Sequence, residues 1–196
     1  TAFVYELPNG KIVANNHKMA AGNFKKRMLS VGEISLSWNT VLAELKSVNP
    51  NLIVIFTISP VRHLRDGVVE NNLSKATLIQ AVHQIIAKNA MCYYFPAYEL
   101  MMDDLRDYRF YAADMLHPNQ VAIDYIWERF ASAYTSKDFG DFQLAMEVLN
   151  AAKAHQPFHP NSEAHLLFKQ QQLEKIKKFQ ITWSNIPMDD MIQHFS

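Results

Sequence analysis

Asp114 and His117, three positions apart and followed directly by Pro118 and Asn119, are the residues of this chain best spaced to do chemistry. A carboxylate can hold an imidazole in one tautomer, so that the ring serves as a general base toward a hydroxyl. Pro118 suits the first turn of a helix, where a missing N–H costs nothing. Behind it, Val121, Ala122, Tyr125, Ile126, Phe130 and Ala133 recur at helical spacing and predict a helix over residues 120–134. The pair is therefore expected on a short loop at the mouth of that helix, where both side chains can turn toward one cleft. Serine hydrolases need this pairing, but no nucleophile stands out beside it. Taken alone, the spacing also fits a turn-capping aspartate next to an idle histidine.

The elements that must position this pair read as an alternation. Ser30-Val31-Gly32-Glu33 is a capping box opening a helix with the stripe Ile34, Trp38, Val41, Leu42 and Leu45, stopped by Asn49-Pro50. Leu52 to Phe56 is an unbroken apolar run, which predicts a strand covered on both faces, as in a parallel sheet. A polar loop over residues 61–72 precedes a helix carrying Leu78, Ile79, Val82, Ile85 and Ile86, and a short strand follows from Met91 to Phe95. Helix, strand, helix, strand, helix predicts an α/β fold with right-handed crossovers. In such sheets ligands gather beyond the carboxyl ends of the strands, where the loops after Phe56 and Phe95 and the Asp114–His117 loop would open. Past Tyr134 the strand signal disappears. One helix is marked by Phe142, Ala145, Val148, Leu149 and Ala152, another opens at Asn161-Ser162-Glu163 and runs to about Phe179, and the end after Pro187 is expected to be disordered or loosely docked. Residues 1–135 form the expected α/β core and 136–196 a helical extension packed on it.

Composition narrows the function classes. The chain has 196 residues, 19 basic and 19 acidic, with zero formal net charge and no long basic run, which argues against nucleic acid as a partner. Its one cysteine, Cys92, lies in a strand-like apolar run and is expected to pack rather than react. No apolar stretch reaches the length of a membrane span. The chain begins at Thr1 and reads as the inside of a longer protein, and with no leader in view the cytoplasm is the expected compartment.

Three blocks resemble the GSCFA family, a branch of the SGNH (GDSL-like) hydrolase superfamily: Tyr5 to Lys18 (YELPNGKIVANNHK), Thr57 to Gly67 (TISPVRHLRDG) and Tyr108 to Trp127 (YRFYAADMLHPNQVAIDYIW). The Asp-x-x-His-Pro element is common to many SGNH enzymes; Ser-Pro-Val-Arg-His with Arg-Asp-Gly is far more specific. The resemblance implies a three-layer α/β/α, flavodoxin-like parallel sheet. It also implies His117 as the general base and Asp114 as the residue that orients it. The family's namesake Gly-Ser-Cys-Phe-Ala segment, whose serine stands where SGNH enzymes keep their nucleophile, does not occur in these residues. Ala2 stands where the superfamily keeps an oxyanion-binding asparagine. The nucleophile, the first strand and oxyanion donors are therefore expected upstream of Thr1. Residues 1–196 alone are expected to be inactive and prone to aggregate.

Further candidates follow. Arg62 has two readings, a bidentate site for a substrate carboxylate or phosphate, or an internal salt bridge to Asp66, Asp103 or Asp104. His63 and Arg65 share its loop. Asn16 and His17 belong to a matching block and are candidates for the same cleft. Ser59 is followed by Pro60, which holds it extended and denies it the sharp elbow that nucleophiles favour, so it reads as loop-shaping. His155, His159 and His165 are not expected to bind metal, because Pro157 and Pro160 break the helix that would align them. The leading expectation is a cofactor-independent hydrolase or acyl transferase acting on an ester, with an acetylated carbohydrate as the first substrate class to try. The rival is a binding or scaffold module that keeps the architecture without the chemistry.

Overall fold

The computed structural model describes residues 1–13 and 19–196 and shows a mixed α/β protein with seven α-helices among them. The chain divides into two compact units, Thr1–Glu128 and Arg129–Ser196. The first opens with an antiparallel sheet of β1 (Phe3–Glu6), β2 (Ile12–Val13) and β3 (Lys25–Met28), with β1 in the centre. The alternation predicted from the sequence left this hairpin-like sheet out, since the strands are short and β3 is mostly charged. Next come α1 (Val31–Val48), β4 (Val54–Thr57), α2 (Val68–Lys88), β5 (Cys92–Phe95), α3 (Ala97–Met102) and the start of α4 (Gln120–Tyr134), a helix that continues past Glu128. The strands β4 and β5 pair in parallel, Val54 opposite Cys92 and Thr57 opposite Phe95, with α2 as their crossover.

The capping box forms as expected: Glu33 N–H donates to Ser30 Oγ at 3.2 Å and Ser30 N–H to Glu33 Oε2 at 2.8 Å. Such a cap is worth about 1 kcal/mol. Glu33 also pairs with Arg27 of β3, which reaches Glu6 of β1 as well, so one guanidinium ties two strands to the helix. These contacts, the Arg27 one foremost, hold the Glu33 carboxyl down at about 2.

The core of this unit joins Leu42 of α1, Phe56 of β4, Val82 and Ile85 of α2 and Cys92 of β5, with Trp38 set edge-on to Phe56 at 4.9 Å. Cys92 is buried there, as expected of a packing residue. The strand β4, however, is covered on one face only. Phe56 is buried while Ile55 and, just before the strand, Ile53 are exposed. An apolar run cannot by itself report how many layers flank it, and both helices that pack against Phe56 serve the same face. A second difference lies at α2, which starts at Val68 rather than after Asn72. Gly67, at φ 91°, turns the chain straight from a 3-10 turn (Leu64–Asp66) into the helix, and its first buried residues are polar.

The second unit holds α5 (Lys137–Ala154), α6 (Glu163–Thr182) and α7 (Asp189–Phe195). Leu149, Ile176, Phe179, Met188, Met191 and Phe195 are its buried cluster. The end of the chain is thus an ordered helix, not the loose tail expected, because Met188, Met191 and Phe195 fall on one helical face and bury it. Within this unit Gln172 is 2% exposed and its Oε1 has no hydrogen-bond partner. Among the described residues no helix is long and apolar enough to cross a membrane.

Candidate functional site

The segment from Tyr111 to Asn119 is a tight loop closed on itself. Ala112 N–H donates to the His117 carbonyl at 2.8 Å, Tyr111 bridges Pro118, and Asn119 N–H reaches the Phe110 carbonyl at 2.9 Å. Asn119, rather than Pro118, caps α4: its Oδ1 accepts from Ala122 N–H at 3.2 Å, while its own amide group donates to the Arg109 carbonyl. Pro118 therefore stands just before the helix and not in its first turn. Its fixed φ shapes the approach instead.

Inside this loop Asp114 Oδ1 accepts from Leu116 N–H at 2.8 Å and His117 N–H at 3.1 Å, while Oδ2 meets His117 Nδ1 at 2.6 Å. Those amides can face the carboxylate because Met115 adopts φ 62°, a left-handed conformation that costs a non-glycine residue about 1–2 kcal/mol. Strain of this kind concentrates where geometry serves a function. The Leu116 amide, then the His117 ring, then the His117 amide hold the Asp114 carboxyl down at about 2. An ionised Asp114 can only accept, so His117 Nδ1 is the donor, and in the neutral ring Nε2 is left with the lone pair. That is the tautomer of a general base. Both side chains are substantially exposed, so the ring is open to a reaction partner.

Arg62 locks this loop to the segment leaving the carboxyl end of β4. Its N–H donates to the Leu116 carbonyl at 3.2 Å and its Nη1 to the Met115 carbonyl at 3.4 Å. The guanidinium lies 4.1 Å from the Tyr111 ring centroid and 5.5 Å from that of Tyr108. None of Asp66, Asp103 and Asp104 pairs with it. Asp66 takes Lys26 and His63, Asp103 takes Arg106, and Asp104 accepts from the Tyr125 hydroxyl. Among the described residues Arg62 thus keeps unused donors at the rim of a 250 Å³ cleft, which it lines with Met101, Leu105, Arg106, Tyr108 and Tyr111.

His63 is tied into the scaffold, its ring 3.4 Å from Asp66 and its N–H on Asn71 Oδ1 at 2.9 Å. Ser59 shapes the loop as expected, accepting from Val61 N–H at 3.2 Å. Asn16 and His17 lie outside the described residues. Among the described residues no group of histidine, cysteine, aspartate or glutamate is arranged to hold a metal ion.

Three organising residues escaped the sequence reading: Asn71, Ser74 and Lys75, all buried on the first turns of α2. Asn71 holds His63, Ser74 Oγ accepts from Ala2 N–H at 2.7 Å, and the Lys75 ammonium donates to the Ser59 carbonyl. Burial pulls the Lys75 amine below its usual range. The signal was available, since 71, 74 and 75 continue the stripe of 78, 82 and 85 at helical spacing. A polar extension of an apolar stripe points to buried polar work, not to a loop.

The family model described as the GSCFA family matches residues 1–130, and that described as the GSCFA domain protein, C-terminal domain, matches residues 146–196. Comparison with curated proteins and with solved structures returned no match. The first of these family matches spans well over half of the chain, including the Arg62 loop and the Asp114–His117 pair, and the protein therefore belongs to the GSCFA family.

Proposed function

We propose that this chain is the base-bearing part of a serine-dependent esterase or acyl transferase of the SGNH type. The Asp114–His117 contact of 2.6 Å carries the reading. Asp114 keeps Nδ1 protonated, Nε2 takes the proton of a serine hydroxyl, and the serine oxygen attacks the acyl carbon of an ester. The imidazolium, steadied by Asp114, returns its proton to the departing alcohol; water or an acceptor alcohol then releases the acyl group by the same steps in reverse. The serine comes from a segment preceding Thr1, and the sheet of the whole protein is the three-layer α/β/α arrangement of that superfamily. Arg62 and its tyrosines receive an anionic part of the substrate, and an acetylated carbohydrate is the first ester class to assay. No cofactor is required.

One observation favours a non-catalytic module instead. Ala2 supplies no side-chain donor, and its N–H is taken up by Ser74 Oγ. The two readings separate in the complete protein. His117→Ala should lower ester turnover by several orders of magnitude with little change in melting temperature. Turnover that survives this substitution would remove His117 from the chemistry, and no esterase activity in the complete native protein makes the binding module the better account.

A further inference from the structure

Three histidines and two lysines, none of them part of the proposed hydrolase site, surround one cavity in the second unit. It has a volume of about 390 Å³, and its wall includes Lys153, His155, His165, Phe168, Lys169 and His194. The residues arrive from separate elements: Lys153 and His155 from the C-terminal end of α5, His165 and Lys169 from α6, and His194 from α7. Among the described residues no acidic side chain lines the cavity. Phe168 forms an aromatic centre to it, with the His155 ring at 5.5 Å and the His165 ring stacked at 6.0 Å.

A metal is not the natural occupant, since these histidines are not gathered into a ligand set. Helix dipoles account for part of the pattern, because Lys153 and His194 stand in the last turns of α5 and α7, where cations are favoured. They do not account for His165 and Lys169, which lie in the first half of α6, or for His155 beyond the end of α5. Lys169 spends one proton on the Ser196 carbonyl at 3.0 Å and has two more to offer.

We propose that this cavity binds a phosphate-bearing small molecule. Two lysines and three histidines on its wall offer several hydrogen-bond donors, which suits the multiple charged oxygens of a phosphate. The packed rings of His155, Phe168 and His165 form an aromatic wall beside which an attached apolar or flat group has somewhere to lie.

The test uses the full chain and inorganic pyrophosphate, with citrate and chloride as comparison anions at constant ionic strength. Side-chain nitrogen NMR of the histidines is the readout. Pyrophosphate should shift His155, His165 and His194 saturably and leave His63 and His83 of the first unit unmoved. Lys169→Gln and His165→Gln should each weaken binding about tenfold, the scale of one charge-assisted hydrogen bond. Lys177→Gln, also on α6 but outside the cavity, should change nothing. Circular dichroism monitors folding, and exposed Lys153→Gln carries the same test should either variant unfold. Shifts shared by all histidines, a preference for citrate, or binding indifferent to Lys169→Gln and Lys153→Gln would overturn the assignment.

Discussion

At the scale of single residues the candidate site comes down to the loop from Asp114 to His117, in which one carboxylate serves three donors. Asp114→Asn would leave the loop near its present shape yet free the imidazole to take the other tautomer. In serine triads that change costs about ten-thousand-fold in turnover, and steady-state kinetics on the complete protein should show a loss of that order. The pH behaviour follows from the depressed carboxyl. Contacts that favour the ionised form are fully present above the ordinary aspartate range, around 3.9, and are lost as pH falls through the folded value. The Leu116 amide resonance should therefore show an acid transition with its midpoint near 2, that of the Asp114 carboxyl. A midpoint in the ordinary aspartate range would mean that the amides do not grip Asp114 in solution. The spacing placed Asp114 and His117 on one loop, and only the flanking blocks favoured a working pair over a capping aspartate beside an idle histidine. The left-handed Met115 was not legible, because methionine has no preference for that conformation and only closure of the surrounding loop imposes it.

Elements decide how firmly the dyad is held. The loop after β4 carries Arg62, and α2 grips that loop through Asn71 and Lys75. Arg62 joins the two parts of the site, so Arg62→Ala should raise KM for an anionic ester about tenfold, with a smaller fall in kcat. Arg62→Lys should not restore it, since an ammonium can neither stack flat on Tyr111 nor fork toward an anion. Equal KM values for the lysine variant and the parent would show that charge alone matters there. In the helical unit the weak point is Gln172, whose buried Oε1 is unsatisfied. A side chain of similar shape without that oxygen avoids a desolvation cost of about 1–3 kcal/mol. Gln172→Met should accordingly raise stability in a denaturant titration by about 1 kcal/mol, and a loss of stability would mean that the amide has a role the packing does not reveal.

At the scale of the whole molecule, the chain balances 19 acidic and 19 basic side chains and builds two units, each with its own buried cluster. The pair of family matches follows the same division, a family segment over residues 1–130 and a C-terminal domain over 146–196. The hydrolase proposal needs a serine that none of the residues around His117 provides. Ser59 is held by its turn, and its carbonyl is occupied by Lys75. A fluorophosphonate probe applied to the complete native protein should therefore leave a single serine adduct, located by peptide mass spectrometry in the segment preceding Thr1. An adduct on Ser59 would move the nucleophile into this chain and require the loop to open.

Local patterns in the sequence determined the elements and their types. The capping box set the start of α1, and the stripe from Val121 to Ala133 the extent of α4. These features depend on neighbours within a turn or two, so their physics is written in adjacent residues. Only the tertiary structure decided that β4 is covered on one face, that the chain end is a docked helix, and that Arg62 spends its face on tyrosines instead of a carboxylate. It also gathered His155, just past the end of α5, with His165 of α6 and His194 of α7 around one cavity. Each of these depends on which distant groups arrive at the same place, and burial is a property of that arrival rather than of any residue's own neighbours along the chain.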